Sequence, residues 1–243
     1  MKEIIVARDL AELNRLAAGK FLEIADRSIE RRGRFTVALS GGSTPKALFR
    51  LLASEPFRSQ VDWDAVLFFF GDERNVLADS DESNFRMANE NLFQPLKIKH
   101  ENIFRWKTEL GEPDAVADDY AVSIGEKFQD QFPAFDLIFL GMGGDGHTAS
   151  LFPRTSGLDE KSKIAIANPV PQMNTMRFTL TFPVINSARN VLFLVAGAEK
   201  SDMLVKVIEG DADYHEIPSR GVKPRNGVLY WFVDAAAAKY LAG

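Results

Sequence analysis

The segment LGMGGDGHTASLFP, Leu140 to Pro153, holds the residue types with most chemistry to offer, and two phosphate-binding patterns overlap in it. Gly141, Gly143 and Gly146 spell GxGxxG, while Gly141 to Thr148 has the spacing of a nucleotide-triphosphate loop with His147 in place of lysine. A dinucleotide loop must open a long helix and lead to a second strand ending in an acidic residue for the ribose. Here Pro153 arrives too soon, the next strand candidate ends at Asn168, and Asp145 would set a carboxylate among amides meant for pyrophosphate. The triphosphate reading fails because an imidazole cannot supply lysine's long, always-charged arm. What remains is Asp145-Gly146-His147, a carboxylate and an imidazole two apart on a glycine-rich turn. An imidazole, with an unperturbed pKa of about 6.5, suits general-base work, and Asp145 would orient the ring or bind substrate. Taken alone, a single histidine on such a turn reads more readily as the cap of a following helix. That reading is kept for His100 and His215, which have no comparable surroundings.

Two further loops change the balance for His147. SGGSTP, Ser40 to Pro45, offers flexible amides, two hydroxyls and a helix N-terminus: Ser40, Gly41, Gly42, Ser43 and Thr44 together form a candidate anion site, or else a plain turn with a cap. GDER, Gly71 to Arg74, places Asp72, Glu73 and Arg74 at a strand end, and a guanidinium there can clamp a phosphate with two parallel hydrogen bonds. Arg177 on an alternating strand and Lys200 just after Gly197 are additional cations, for which surface solubility is the competing explanation. Three strand-end loops, one anion-binding, one of mixed charge and one carrying acid and base, point jointly to a phosphosugar site.

The elements that must position these loops follow from periodicity. Asp9 and Glu12 have capping-box spacing, and Leu10, Leu13, Leu16, Ala17, Phe21 and Ile24 share a helical face that Gly33 closes. Strands are expected at Phe35–Leu39, Val66–Phe70, Asp136–Leu140, Ile164–Ala167, Arg177–Phe182, Val191–Val195 and Val228–Val233. Helices are expected at Pro45–Leu52, Asn84–Leu92, Asp114–Phe128 and Ala198–Glu209. Strands alternating with helices predict an α/β fold, a doubly wound, mostly parallel sheet flanked by helices, with ligands outside the strand carboxyl ends. No linker breaks the chain, so residues 1–243 are expected to form a single domain.

Composition narrows the function classes. The chain has 243 residues, 46% of them hydrophobic, enough to fill a core. There is no cysteine, which excludes disulfides, thiolate metal sites and a cysteine nucleophile. A formal charge of −5 argues against general nucleic-acid binding, so an anionic substrate needs a locally positive pocket. The start, MKEIIVARDL, has no signal-peptide apolar block, and the apolar runs are strand-sized, so a cytoplasmic protein without membrane contact is expected. The sequence has no GxSxG elbow and no HExxH helix, leaving an acyl-enzyme or zinc hydrolase nothing to stand on. It carries no signal for an oligomeric state.

At these residues the sequence resembles the 6-phosphogluconolactonase family over nearly its whole length. The resemblance runs through ALSGGSTPKAL from Ala38, FGDERNV from Phe70, SDESNF from Ser80, LGMGGDGHTASLFP from Leu140, RFTLTFPVINSARNVLFLVAG from Arg177 and YWFVDAAAA from Tyr230. It implies hydrolysis of 6-phosphoglucono-δ-lactone to 6-phosphogluconate in the oxidative pentose phosphate pathway, with no metal or organic cofactor. It further implies that His147 activates water and Asp145 holds the imidazole or the sugar. Ser40, Gly41, Gly42, Ser43, Thr44 and Asp72 would line the substrate pocket, with Arg74, Arg177 and Lys200 supplying positive charge. A related architecture serves aldose-ketose isomerases and deaminases of glucosamine 6-phosphate. Those have a segment resembling HIAFNEP after the histidine and an aromatic residue where Arg74 stands. A non-catalytic sugar-phosphate sensor would need an attached DNA-binding module, and nothing before Phe35 exceeds one helix and its lead-in.

Overall fold

The computed structural model describes residues 1–242; Gly243, the last residue of the single-domain expectation, lies outside them. In chain order the elements are β1 (Lys2–Ala7), α1 (Leu10–Arg32), β2 (Phe35–Leu39), α2 (Ser43–Leu52), β3 (Val66–Phe70), β4 (Asp72–Arg74) and α3 (Asn84–Ala88). Then come α4 (Gln94–Leu96), α5 (Pro113–Gly125), β5 (Leu137–Leu140), β6 (Ala165–Val170), β7 (Thr175–Leu180), α6 (Phe182–Ile185), β8 (Asn190–Val195), α7 (Ser201–Ile208) and β9 (Val228–Asp234).

The apolar runs FTVAL, VLFFF, LIFL and NVLFLV become strands covered on both faces, as a parallel sheet between helix layers requires. Six strands lie in the order β1-β9-β8-β5-β2-β3, every neighbouring pair parallel. From β2 the chain moves outward to β3, and from β5 it moves the other way through β8 to β9. The direction therefore switches between β2 and β5, and the loops after those two strands flank the crevice where doubly wound sheets bind ligands. Aromatic rings fill the layers beneath, including Phe21 edge-on to Phe35 at 5.1 Å and Phe193 stacked on Trp231 at 3.9 Å. These residues belong to one continuous buried cluster.

Several boundaries depart from the sequence reading. α2 starts at Ser43, because Gly42, at φ +108°, lets the chain turn into a helix two residues before Pro45. The helix expected over Asn84–Leu92 passes after Ala88 into a π-helical turn, Asn89–Phe93, just ahead of Pro95, which has no N–H to continue an α-helical ladder. Residues 181–182 leave β7 because Phe182-Pro183 opens α6. The larger differences are in strand pairing. β1, not anticipated, runs parallel to β9 at the sheet edge. GDER is not a loop, since Asp72–Arg74 forms β4 in a separate antiparallel sheet ordered β4-β7-β6. Gly71 joins the two sheets: its N–H donates to Leu39 O at 2.8 Å and its carbonyl accepts from Leu180 N at 2.8 Å. No helix among the described residues is long and apolar enough to cross a membrane.

Candidate active site

At the switch point a cleft of about 240 Å³ opens between the loops after β2 and β5. Its walls include Ser40, Gly41 and Gly42 after β2, Asp72 and Arg74 on β4, Gly141 to Gly143 and His147 after β5, and Lys200 ahead of α7. The small antiparallel sheet thus has a specific effect on the site. It carries the acid and the guanidinium of GDER across the open end of the large sheet.

His147 is held by its own turn. Asp145 Oδ1 lies 2.6 Å from His147 Nδ1 and also accepts the His147 backbone N–H at 3.1 Å. The imidazole stacks on Phe152, centroids 4.1 Å apart. Gly143 passes so close beneath the ring that a Cβ there would sit 2.1 Å from Nδ1. Gly146 adopts φ +83°, the left-handed region open to glycine, and a Cβ on it would meet Ile217 Cγ2 at 2.7 Å. Ser219 braces the turn from behind, donating from N and from Oγ to Gly146 O, both at 2.9 Å. Burial pushes the Asp145 carboxyl up, yet the hydrogen bonds and charge of His147 outweigh this and hold it below the usual carboxylate range. With Nδ1 committed to an ionised carboxylate, Nε2 is the ring nitrogen without a partner among the described residues. The carboxylate selects the tautomer with the proton on Nδ1, which leaves the Nε2 lone pair free to accept a proton.

The opposite wall carries mixed charge that is incompletely paired. Arg74 on β4 stands directly across from Arg177 on β7. Arg177 Nε is buried with no acceptor, and burial together with Arg74 pushes its guanidinium below the ordinary range. An anion entering beside Arg74 would relieve this like-charge pair. Asp72 is buried and accepts from Ser150 Oγ at 2.8 Å. The carboxylate of Glu73, also buried, receives the N–H groups of Arg74, Asn84 and Phe85 and the hydroxyl of Ser83. Burial pushes the Glu73 carboxyl up, and the three amides offset this only in part. Glu73 thereby ties the start of α3 to β4.

Of the residues singled out in the sequence, Ser40, Gly41, Gly42, Asp72, Arg74, His147 and Lys200 share the cleft wall. Asp145 reaches it through His147. Ser43 and Thr44 occupy the first turn of α2 and Arg177 the β7 position paired with Arg74, all three outside the lining. Sequence reasoning gave no role to Asn84, Met142 or Ala149, which also line the cleft, nor to Ser219. Asn84 had one usable signal: Ser83 precedes it as a helix cap, accepting from Arg86 N. No residue type or spacing marks Ser219. His147 does not cap a helix, because it is followed by a turn in which Thr148 and Leu151 pair.

Comparison with known proteins gives a consistent result. The family model described as glucosamine-6-phosphate isomerases/6-phosphogluconolactonase matches residues 8–231. A 6-phosphogluconolactonase of Synechocystis sp. is 41% identical over 219 residues, covering 88% of each chain. One of Nostoc sp. is 38% identical over 245 residues, covering 99% of each. The solved 6-phosphogluconolactonase from Trypanosoma cruzi has a TM-score of 0.88 at 31% identity, covering 100% of this chain and 98% of its own. The chain therefore belongs to the glucosamine-6-phosphate isomerase/6-phosphogluconolactonase family.

Proposed function

We propose that the protein hydrolyses 6-phosphoglucono-δ-lactone to 6-phosphogluconate, with His147 as general base and Asp145 as its orienting partner. The observation that carries this reading is one imidazole, fixed at Nδ1 by Asp145 and unpartnered at Nε2, on the wall of a cleft that also holds Arg74 and Lys200. The relatives named for this activity support the substrate assignment.

In the proposed mechanism the phosphate is drawn to the amides of Ser40, Gly41 and Gly42 at the N-terminal end of α2 and to the cationic side chains, which fixes the ring by binding energy remote from the reaction. His147 Nε2 takes a proton from water as the water oxygen bonds to the lactone carbonyl carbon. Asp145 stabilises the resulting imidazolium. The tetrahedral oxyanion then collapses, the bond from the former carbonyl carbon to the ring oxygen breaks, and the imidazolium returns its proton to the leaving ring oxygen. Water is consumed and the acid ionises. No step calls on a metal or an organic cofactor.

The decisive experiment is a continuous lactone assay with enzyme and blank side by side, since the lactone also opens spontaneously. Acceleration well above the blank is expected. The family's other activity, on glucosamine 6-phosphate, is disfavoured by His147-Thr-Ala-Ser-Leu-Phe-Pro153 and by Arg74. Ammonia release from glucosamine 6-phosphate with no lactone acceleration would reverse the assignment.

A further inference from the structure

The pole of the sheet farthest from the catalytic cleft carries a second opening, larger than the first. About 420 Å³ lies between the last turns of α1 and the N-terminal ends of β8 and β9, lined by Arg27, Arg31, Arg32, Arg189, Asn226 and Tyr230 among others. Four guanidinium groups converge there in a chain whose formal charge is −5.

Structural needs account for only part of this cluster. Asp136 is 3% exposed and receives Arg32 Nη2 at 2.7 Å, Arg189 Nε at 3.3 Å, and the N–H and hydroxyl of Thr36, so Arg32 and Arg189 neutralise a buried carboxylate. Basic residues also suit the C-terminal turn of α1, where they face the helix dipole. Neither reason covers Arg27, a turn further back. Nor does either explain Arg27 and Arg31 standing four apart on one helix, where like charges repel. Neither guanidinium meets a carboxylate among the described residues, and the Asn226 amide and Tyr230 hydroxyl have no hydrogen-bond partner there. The cleft's one acid, Glu23, is held by Lys20 at 2.6 Å.

We propose that this cleft is a second anion site, which takes a small phosphoanion carrying two or more negative charges. Arg27 and Arg31 supply charge and paired donors, while Asn226 and Tyr230 supply neutral donors from the facing strand end. Guanidinium forks match phosphate oxygens bidentately, and two uncommitted forks a helical turn apart suit adjoining phosphate groups better than a single one. The volume falls within the range of small-ligand clefts, roughly 300–1,000 Å³.

The test is calorimetric titration of the full chain with inorganic pyrophosphate at low salt. Wild type is expected to show a saturable site that persists in Arg74→Ala and weakens at least tenfold in the double variant Arg27→Ala/Arg31→Ala. Lactone turnover of the double variant should stay within twofold of wild type, which also reports its folding. Asn226→Asp leaves all four arginines in place and should weaken the same site by adding a carboxylate to it. Orthophosphate is expected to bind at least fivefold more weakly than pyrophosphate. Absence of saturable binding, or binding lost with Arg74 but kept in the double variant, overturns the proposal. Equal affinity for orthophosphate overturns the match to adjoining phosphate groups.

Discussion

Two Asp-X-His turns in this chain have nearly the same local geometry and opposite prospects. In Asp145-Gly146-His147 the carboxylate meets Nδ1 at 2.6 Å and the histidine amide at 3.1 Å; in Asp213-Tyr214-His215 the corresponding distances are 2.5 and 2.9 Å. The difference lies at the other ring nitrogen. His215 Nε2 is taken by Asp159 at 2.9 Å, so that ring staples two surface segments. His147 Nε2 is left to a cleft, its ring seated on Phe152 and over Gly143. Orientation by a carboxylate is therefore cheap and common, and what distinguishes a base is a free lone pair facing a place where a substrate fits.

The largest expected effect comes from removing the free ring. His147→Ala should lower kcat by roughly 10² to 10⁴ with little change in KM. Turnover near wild type in that variant would show that the two turns do not differ in function. The orienting partner comes next. Asparagine at 145 can turn its amide N–H toward Nδ1 and favour the tautomer with the proton on Nε2, so Asp145→Asn should cost roughly 10² in kcat, measured under the same conditions. An unimpaired kcat would mean that the carboxylate's hold on Nδ1 is not needed for the reaction.

Charge on the facing wall should act on a different constant. Arg74→Ala and Lys200→Ala are each expected to raise KM by roughly tenfold and to flatten its dependence on ionic strength, with kcat less affected. If KM is unchanged in both, the phosphate lies elsewhere.

His215→Ala should produce the smallest effect: lactone turnover within twofold of wild type and a difference only in the pH dependence of Tm. Hydrogen bonds that the ring donates to Asp159 and Asp213 raise the His215 pKa above its ordinary 6.5, while the His215 contacts lower that of Asp213 from 3.8. The histidine's contribution is complete below 6.5 and fades as pH rises through its raised folded value. The carboxylate's is present above 3.8 and fades as pH falls through its lowered one. Tm of wild type and variant should therefore separate most between those limits and converge at alkaline pH. A fall in kcat instead would mean that the staple also positions the Asp145-Gly146-His147 turn, since the same segment carries Ile217 and Ser219 against Gly146.

Legibility in the sequence followed the range of the interactions involved. β2 and β3 have the expected bounds because a continuous apolar run flanked by turn residues defines a doubly covered strand locally. α1 begins and ends as expected because Asp9 accepts from Glu12 N and Gly33 takes the left-handed closing position. Even there the capping box is half realised, since the Glu12 carboxylate takes the N–H of Arg8, not that of Asp9. β4 is not legible because it is defined by a distant partner, β7, and carries no pattern of its own, whereas β1 holds the β-branched run Ile4–Val6 and is fixed as a strand by β9 alone. In the site, His147, Arg74 and Lys200 were legible as chemistry-bearing types after glycines or strands. Asn84 and Ser219 were not, because their parts depend on hydrogen bonds closed across the fold.

The pairing of Lys2 with Leu229 has a consequence for how the molecule comes into being. β1 has β9 as its one strand neighbour, so its pairing waits until the chain has been made through Asp234. Closing so long a loop is slow, and Ile4 and Val6 remain exposed even with β9 in place. The same adjacency places the first strand beside the last. A chain rearranged so that β9 precedes β1, with a break at an exposed turn such as Asn174, would make the late-arriving partner an early one.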